Sequence, residues 1–115
     1  MKKVYKEITA DISAAMAKMR KEMPDVMNAF GSLAVASTKD GALNKKTKEL
    51  IALALGICSH CDGCIGFHTQ ALIKFGVTRE EFLETLSMAI YMGGGPSLMY
   101  AAQALQAFEE YSANS

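Results

Sequence analysis

Apolar positions recur at intervals of three and four along almost the whole chain, and no segment alternates with period two. Val4, Ile8, Ile12, Met16 and Met19 predict an amphipathic first helix. Pro24 and Asp25 open a second, with Val26, Met27, Phe30, Leu33 and Ala34 as its apolar set, and Lys39-Asp40-Gly41 ends it. Asn44 is a suitable N-cap for a third helix over Lys45–Ile57. From Leu50 onward that helix is apolar all round, as expected of a buried central helix. A fourth helix runs through Lys74, with Gly76 as its terminator. Thr78-Arg79-Glu80-Glu81 reads as a capping box opening a fifth, whose inner face is Phe82, Leu83, Leu86 and Ile90. Gly93-Gly94-Gly95-Pro96 stops that helix and starts a sixth over Pro96–Tyr111. The expectation is one all-α domain spanning 1–115, about six helices with short connections.

Composition narrows the function classes. Twelve acidic and twelve basic residues leave no net charge, so no nucleic-acid partner and no anionic membrane is expected. The longest apolar run, Leu50–Cys58, is far short of the roughly 20 residues a membrane span needs. Val4-Tyr5-Lys6-Glu7 after the first three residues gives no signal-peptide core. Half of the residues are hydrophobic, with eight Met, which is rich for a small monomer and suggests a subunit interface built from the Leu50–Ile57 helix and the helix after Pro96. Three cysteines form an odd set, which favours reactive thiols in a reducing, cytoplasmic setting over a structural disulfide framework. The Met residues sit at core spacings, and the triple glycine lacks the strand and the Lys-Ser/Thr of a phosphate loop.

The chemistry is concentrated in Cys58-Ser59-His60-Cys61-Asp62-Gly63-Cys64-Ile65-Gly66-Phe67-His68, which holds every Cys and His of the chain. Residues three and four apart share a helix face, so Cys61, Cys64 and His68 would form one stripe. Two thiols three apart on a helix lie within disulfide reach, about 5–6 Å between Cα atoms. Helix amides and the positive end of the dipole favour a thiolate there. His68 could take up a thiol proton near neutral pH. The rival reading is a metal site of Cys58, Cys61, Cys64 and His68, or a redox-sensing module. The crowding of all four within eleven residues weighs against it, since zinc sites usually draw on two separated knuckles.

The pattern Glu49-x11-Cys61-x2-Cys64-x3-His68 resembles the alkyl hydroperoxidase D (AhpD) branch of the carboxymuconolactone decarboxylase family. The frame is internally selective. Taking Cys58 and Cys61 as the pair would put Ile65 at the His position and Lys46 at the Glu position. Lys46-Thr47-Lys48-Glu49-Leu50-Ile51-Ala52-Leu53-Ala54 is similar to the family's central helix, and Gly94-Gly95-Pro96-Ser97 to the start of its last. The resemblance implies an AhpD-like all-α fold and a trimer or hexamer. It implies a peroxiredoxin activity in which a small hydroperoxide is reduced at the expense of a thiol or dithiol, without a cofactor. Cys64 would be the attacking thiolate, Cys61 the resolving thiol, and Glu49 with His68 the proton relay. Relatives often carry a His between the cysteines, where this chain has Asp62 and Gly63. The decarboxylase branch of the same fold, a lyase acting on a lactone acid, is the alternative, and an intact CxxC pair argues against it. Glu49 also has an ordinary alternative, a solvated helix pair with Lys45.

Overall fold

The structure, a computed structural model, describes residues 2–113 and is all-α over them. The six helices are α1 (Tyr5–Glu22), α2 (Pro24–Thr38), α3 (Lys45–Cys58), α4 (Asp62–Lys74), α5 (Arg79–Gly93) and α6 (Gly95–Ser112). Their boundaries follow local chemistry. Asn44 Oδ1 accepts the Thr47 amide at 2.8 Å and starts α3. Thr78 and Glu81 exchange the two bonds of a capping box and start α5. Gly76, with φ 73°, takes the left-handed position just beyond α4. Gly94, with φ 75°, turns the chain from α5 into α6.

α3 packs on both α4 and α5, and α6 lies against α4, α5 and α3. Between them sits one core of Leu53, Ile57, Ile65, Leu72, Phe82, Leu86 and Phe108, joined by Tyr5 and Tyr111. Ser97, Ala101, Ala104 and Ala107 line the buried face of α6, so small side chains let its backbone come close to its neighbours. Phe82 and Phe108 meet at 4.7 Å between ring centres. α1 closes the bundle against α4 and α6.

Three expectations need correction. The buried residues of α1 are Tyr5 and Thr9, while Val4 and Met19 are exposed; the apolar stripe belongs to the helix but only its first turns reach the core. α3 is not buried all round: Leu53, Gly56 and Ile57 are inside, whereas Ile51 and Leu55 face outward. On α5 the inner face is Phe82, Leu86 and Ala89, and Leu83 is exposed. α2 forms as expected but buries no residue, touching only α1 and α3. Among the described residues, no helix is long and apolar enough to cross a membrane.

Candidate functional site

The site is built where α3 hands the chain to α4. Ser59, His60 and Cys61 make the turn, with the amides of Ser59, His60 and Cys61 donating back to Leu55, Ile57 and Gly56 carbonyls. His60 adopts φ 56°, a left-handed conformation that costs a non-glycine residue roughly 1 kcal/mol or more. Its ring is held by stacking on Tyr100 of α6, at 4.6 Å and 8° between planes.

Cys61 is the N-cap of α4 and not part of its first turn, because its backbone is still extended. Its sulfur accepts the Cys64 amide at 3.1 Å, so a thiolate on Cys61 would be met by a helix N–H and the positive end of the dipole. Cys61 and Cys64 form a disulfide with Cα atoms 5.2 Å apart. Cys58 is a free thiol turned elsewhere: its Sγ donates toward the Ala89 carbonyl at 3.5 Å and lies 3.7 Å from the Ser97 hydroxyl. The cysteine therefore separates from the pair and packs at the meeting of α3, α5 and α6. Among the described residues, no group of three or more Cys, His, Asp or Glu converges as metal ligands would.

Glu49 and His68 meet across the α3–α4 contact. Glu49 Oε2 is 2.6 Å from His68 Nδ1, and the Glu49 side chain retains 12% exposure against 33% for His68. Glu49 is thus engaged with the imidazole and not with Lys45. Where Nδ1–H donates to the carboxylate, Nε2 is left as the ring's proton acceptor. His68 stands one helical turn beyond Cys64. A base oriented by a carboxylate and placed next to a thiol is the arrangement used to activate a nucleophile.

Gly56 sets the separation of the two helices. A Cβ built on it would lie 2.9 Å from Cys64 Cβ, closer than side chains approach, so only glycine admits Cys64 at this crossing. Sequence reasoning did not single Gly56 out, because it lies inside an apolar run that reads simply as core. It also missed the groups gathered on Asp62. Lys3 Nζ contacts Asp62 Oδ1 at 3.0 Å, and the Tyr5 hydroxyl donates to the same oxygen at 3.3 Å. Burial, and then the neighbouring Asp62 carboxylate, raises the Tyr5 phenol well above its ordinary range, so it remains a donor. No local motif links Lys3 or Tyr5 to residue 62. The 480 Å³ groove lined by Lys6, Thr9, Phe67, Gln70, Ile73 and Tyr111 among others touches none of Glu49, Cys61, Cys64 and His68.

Known proteins resemble the chain in sequence and fold. Residues 24–107 match the model of the carboxymuconolactone decarboxylase family. A crystal structure of a carboxymuconolactone decarboxylase family protein from Legionella pneumophila is 67% identical, with a TM-score of 0.93 over 94% of this chain and 96% of that one. An uncharacterized protein of Cupriavidus necator is 40% identical over 103 residues, covering 90% of this chain and 91% of the other. A 63-residue stretch is 32% identical to the alkyl hydroperoxide reductase AhpD of Mycobacteroides abscessus, spanning 55% of this chain and 36% of that protein. With six helices, the Cys61–Cys64 pair and these relatives, the chain belongs to the carboxymuconolactone decarboxylase family, in its AhpD-like branch.

Proposed function

We propose that the protein is a thiol-dependent peroxidase and disulfide oxidoreductase that reduces alkyl hydroperoxides through Cys61 and Cys64. The observation that carries this reading is the Glu49–His68 contact at 2.6 Å, made by an imidazole one helical turn beyond Cys64 of the cysteine pair. A CxxC pair with an oriented imidazole favours redox chemistry over the family's lyase chemistry.

The cycle begins from the dithiol. The Cys64 thiolate attacks one peroxide oxygen; an S–O bond forms, the O–O bond breaks, and a sulfenic acid and an alkoxide result. Protonated His68, steadied by Glu49, gives the alkoxide its proton. Cys61, whose thiolate is stabilised by the Cys64 amide, attacks the sulfenic sulfur; the S–S bond forms, the S–O bond breaks, and the departing hydroxide takes up the proton that the Cys61 thiol gave up and leaves as water. An external thiol or dithiol then returns two electrons and two protons to the pair. Such a reductant fits a cytoplasmic setting.

The test is a count of free thiols before and after one equivalent of hydroperoxide. The reduced chain presents three, and the reading expects one to remain, Cys58. Cys58→Ala should keep most activity, whereas Cys61→Ser should stop after one oxidation as a sulfenic acid or mixed disulfide. Three thiols surviving the peroxide, or a Cys58→Ala protein that no longer reacts, would overturn the reading.

A further inference from the structure

One cation from the chain's N-terminal segment pairs with the residue after Cys61 and stands over the ring on which the residue before it stacks. Asp62, directly after Cys61, pairs with Lys3 Nζ at 3.0 Å. His60, directly before it, stacks on Tyr100, and the same ammonium stands 5.1 Å above the Tyr100 ring. Lys3 is itself fixed on α6: its ammonium donates to Gln103 Oε1 at 2.6 Å and its carbonyl accepts from Gln106 Nε2 at 2.7 Å. The Tyr5 hydroxyl completes the cluster on Asp62. Both members of the ion pair are about one-third exposed. This is a costly arrangement for a turn that needs only to connect two helices, and it engages the residues on either side of the cysteine that caps α4.

We propose that Lys3 and Asp62 are positioning residues that set the thiol–disulfide equilibrium of Cys61–Cys64, Lys3 neutralising the Asp62 carboxylate that would otherwise oppose a thiolate on Cys61. The reason is charge at short range. Reduction places negative charge on the Cys61 sulfur at the helix start, next to the Asp62 carboxylate in sequence. With Lys3 in place the pair is neutral and the helix amide dominates. Without it the carboxylate disfavours the thiolate and the disulfide is harder to open. Without Asp62 the remaining cation favours the thiolate and the disulfide opens more readily. The proposal rests on the reading of Cys61–Cys64 as a cycling pair.

The exchange can be written with glutathione as probe. Two glutathione thiols reduce the pair; the Cys61–Cys64 S–S bond breaks, the two glutathione sulfurs join as a disulfide, and of their two protons one stays on the protein while the other is released to the buffer where Cys61 stands as a thiolate. The equilibrium constant is read by trapping thiols in glutathione buffers, at low ionic strength where the effect is least screened. Lys3→Met should favour the disulfide by about fivefold, and Asp62→Asn should favour the dithiol by about fivefold, for a unit charge several ångströms from sulfur near a protein surface. Iodoacetamide alkylation of the reduced pair should slow in the first and quicken in the second. Lys3→Met/Asp62→Asn should return near the unmodified constant, Lys3→Arg should keep it, and added salt should shrink each single shift. A role confined to holding the turn would move both single variants in the same direction, because either one breaks the clamp. Shifts of the same sign, or constants unchanged in both, overturn the proposal. A pair that glutathione and dithiothreitol cannot open overturns it together with the peroxidase reading. A pair that opens normally with unshifted constants leaves that reading standing and removes only the clamp.

Discussion

Glu49 and His68 lie nineteen positions apart in the chain and 2.6 Å apart in the fold, the carboxylate on α3 and the imidazole on α4. Because the contact crosses two helices, the proposed relay makes each residue depend on the other for its effect on the thiols. His68→Phe should slow alkylation of reduced Cys64 at pH 7 by about tenfold or more, the usual scale for losing a positioned base. Glu49→Gln should slow it less, because the imidazole remains but is poorly oriented. The double variant should resemble His68→Phe alone, since the two act as a unit. Additive losses in stopped-flow alkylation, or a rate that ignores His68→Phe, would make both ordinary helix residues.

Gly56 gives a second outcome, one that reports on the scaffold. Its missing side chain is what lets Cys64 sit against α3, and a Cβ there would press on the Cys64 Cβ at 2.9 Å. Neither atom is the end of a flexible chain, so the helices must move apart. Gly56→Ala should therefore cost about 1–3 kcal/mol, as overpacking does, in spite of alanine's better helix propensity. Chemical denaturation measures this. The same variant should weaken the Glu49 effect on alkylation, because the α3–α4 spacing carries the contact. A variant as stable as the parent would show that the crossing relaxes freely.

Most of the fold could be read from the chain because its helices announce themselves locally. Asn44 and Thr78 cap with their own side chains, Gly76 and Gly94 take positive φ, and each was visible as a residue type at a fixed offset. What could not be read was which face each helix turns inward, where packing decides. Val4 and Leu83 fit their stripes, yet both are exposed. The site divides the same way. The placement of Cys64 and His68 on one face follows from spacing within one helix, whereas Cys61 precedes that helix as its extended N-cap. The Glu49 partner depended on a family pattern, since two separate helices must cross to bring it in. Lys3, Tyr5 and Tyr100 contact the CxxC turn only through tertiary structure, with no signal in the sequence around them.

The start of α5 carries a pH signature. The Thr78 amide donating to Glu81, and then Lys46 at 3.0 Å, lower the Glu81 carboxyl from its ordinary value of 4.5. A group whose folded value is depressed adds stability above its unfolded value and loses it as pH falls through the folded one. Glu81→Gln keeps the capping geometry but removes the charge. It should melt below the parent at pH 7, and the two should converge as pH drops well under 4.5. Thermal melts by circular dichroism across that range decide it; a constant difference at all pH values would assign the loss to packing.

The last outcome concerns α2, a helix that buries none of its residues. Val26, Phe30, Leu33 and Val35 are 59–67% exposed. An isolated helix of 15 residues is marginal in water, so α2 gains little from the bundle it barely touches. Ile51, Leu55, Leu98 and Met99 also project outward, on the helices expected from sequence to build an interface. These surfaces account for the apolar excess of the chain, and we propose that a second copy covers them with matching apolar faces. Sedimentation at micromolar concentration should show an oligomer, with trimer or hexamer the states the family resemblance implies. Burying a Phe or Leu side chain contributes about 2 kcal/mol, so Phe30→Asp or Leu33→Asp should shift the protein toward a smaller species. Both positions lie outside the core, and the variants should retain the Glu49–His68 effect on alkylation within each chain. A parent protein that sediments as a monomer throughout would remove the interface and leave α2 without a structural explanation.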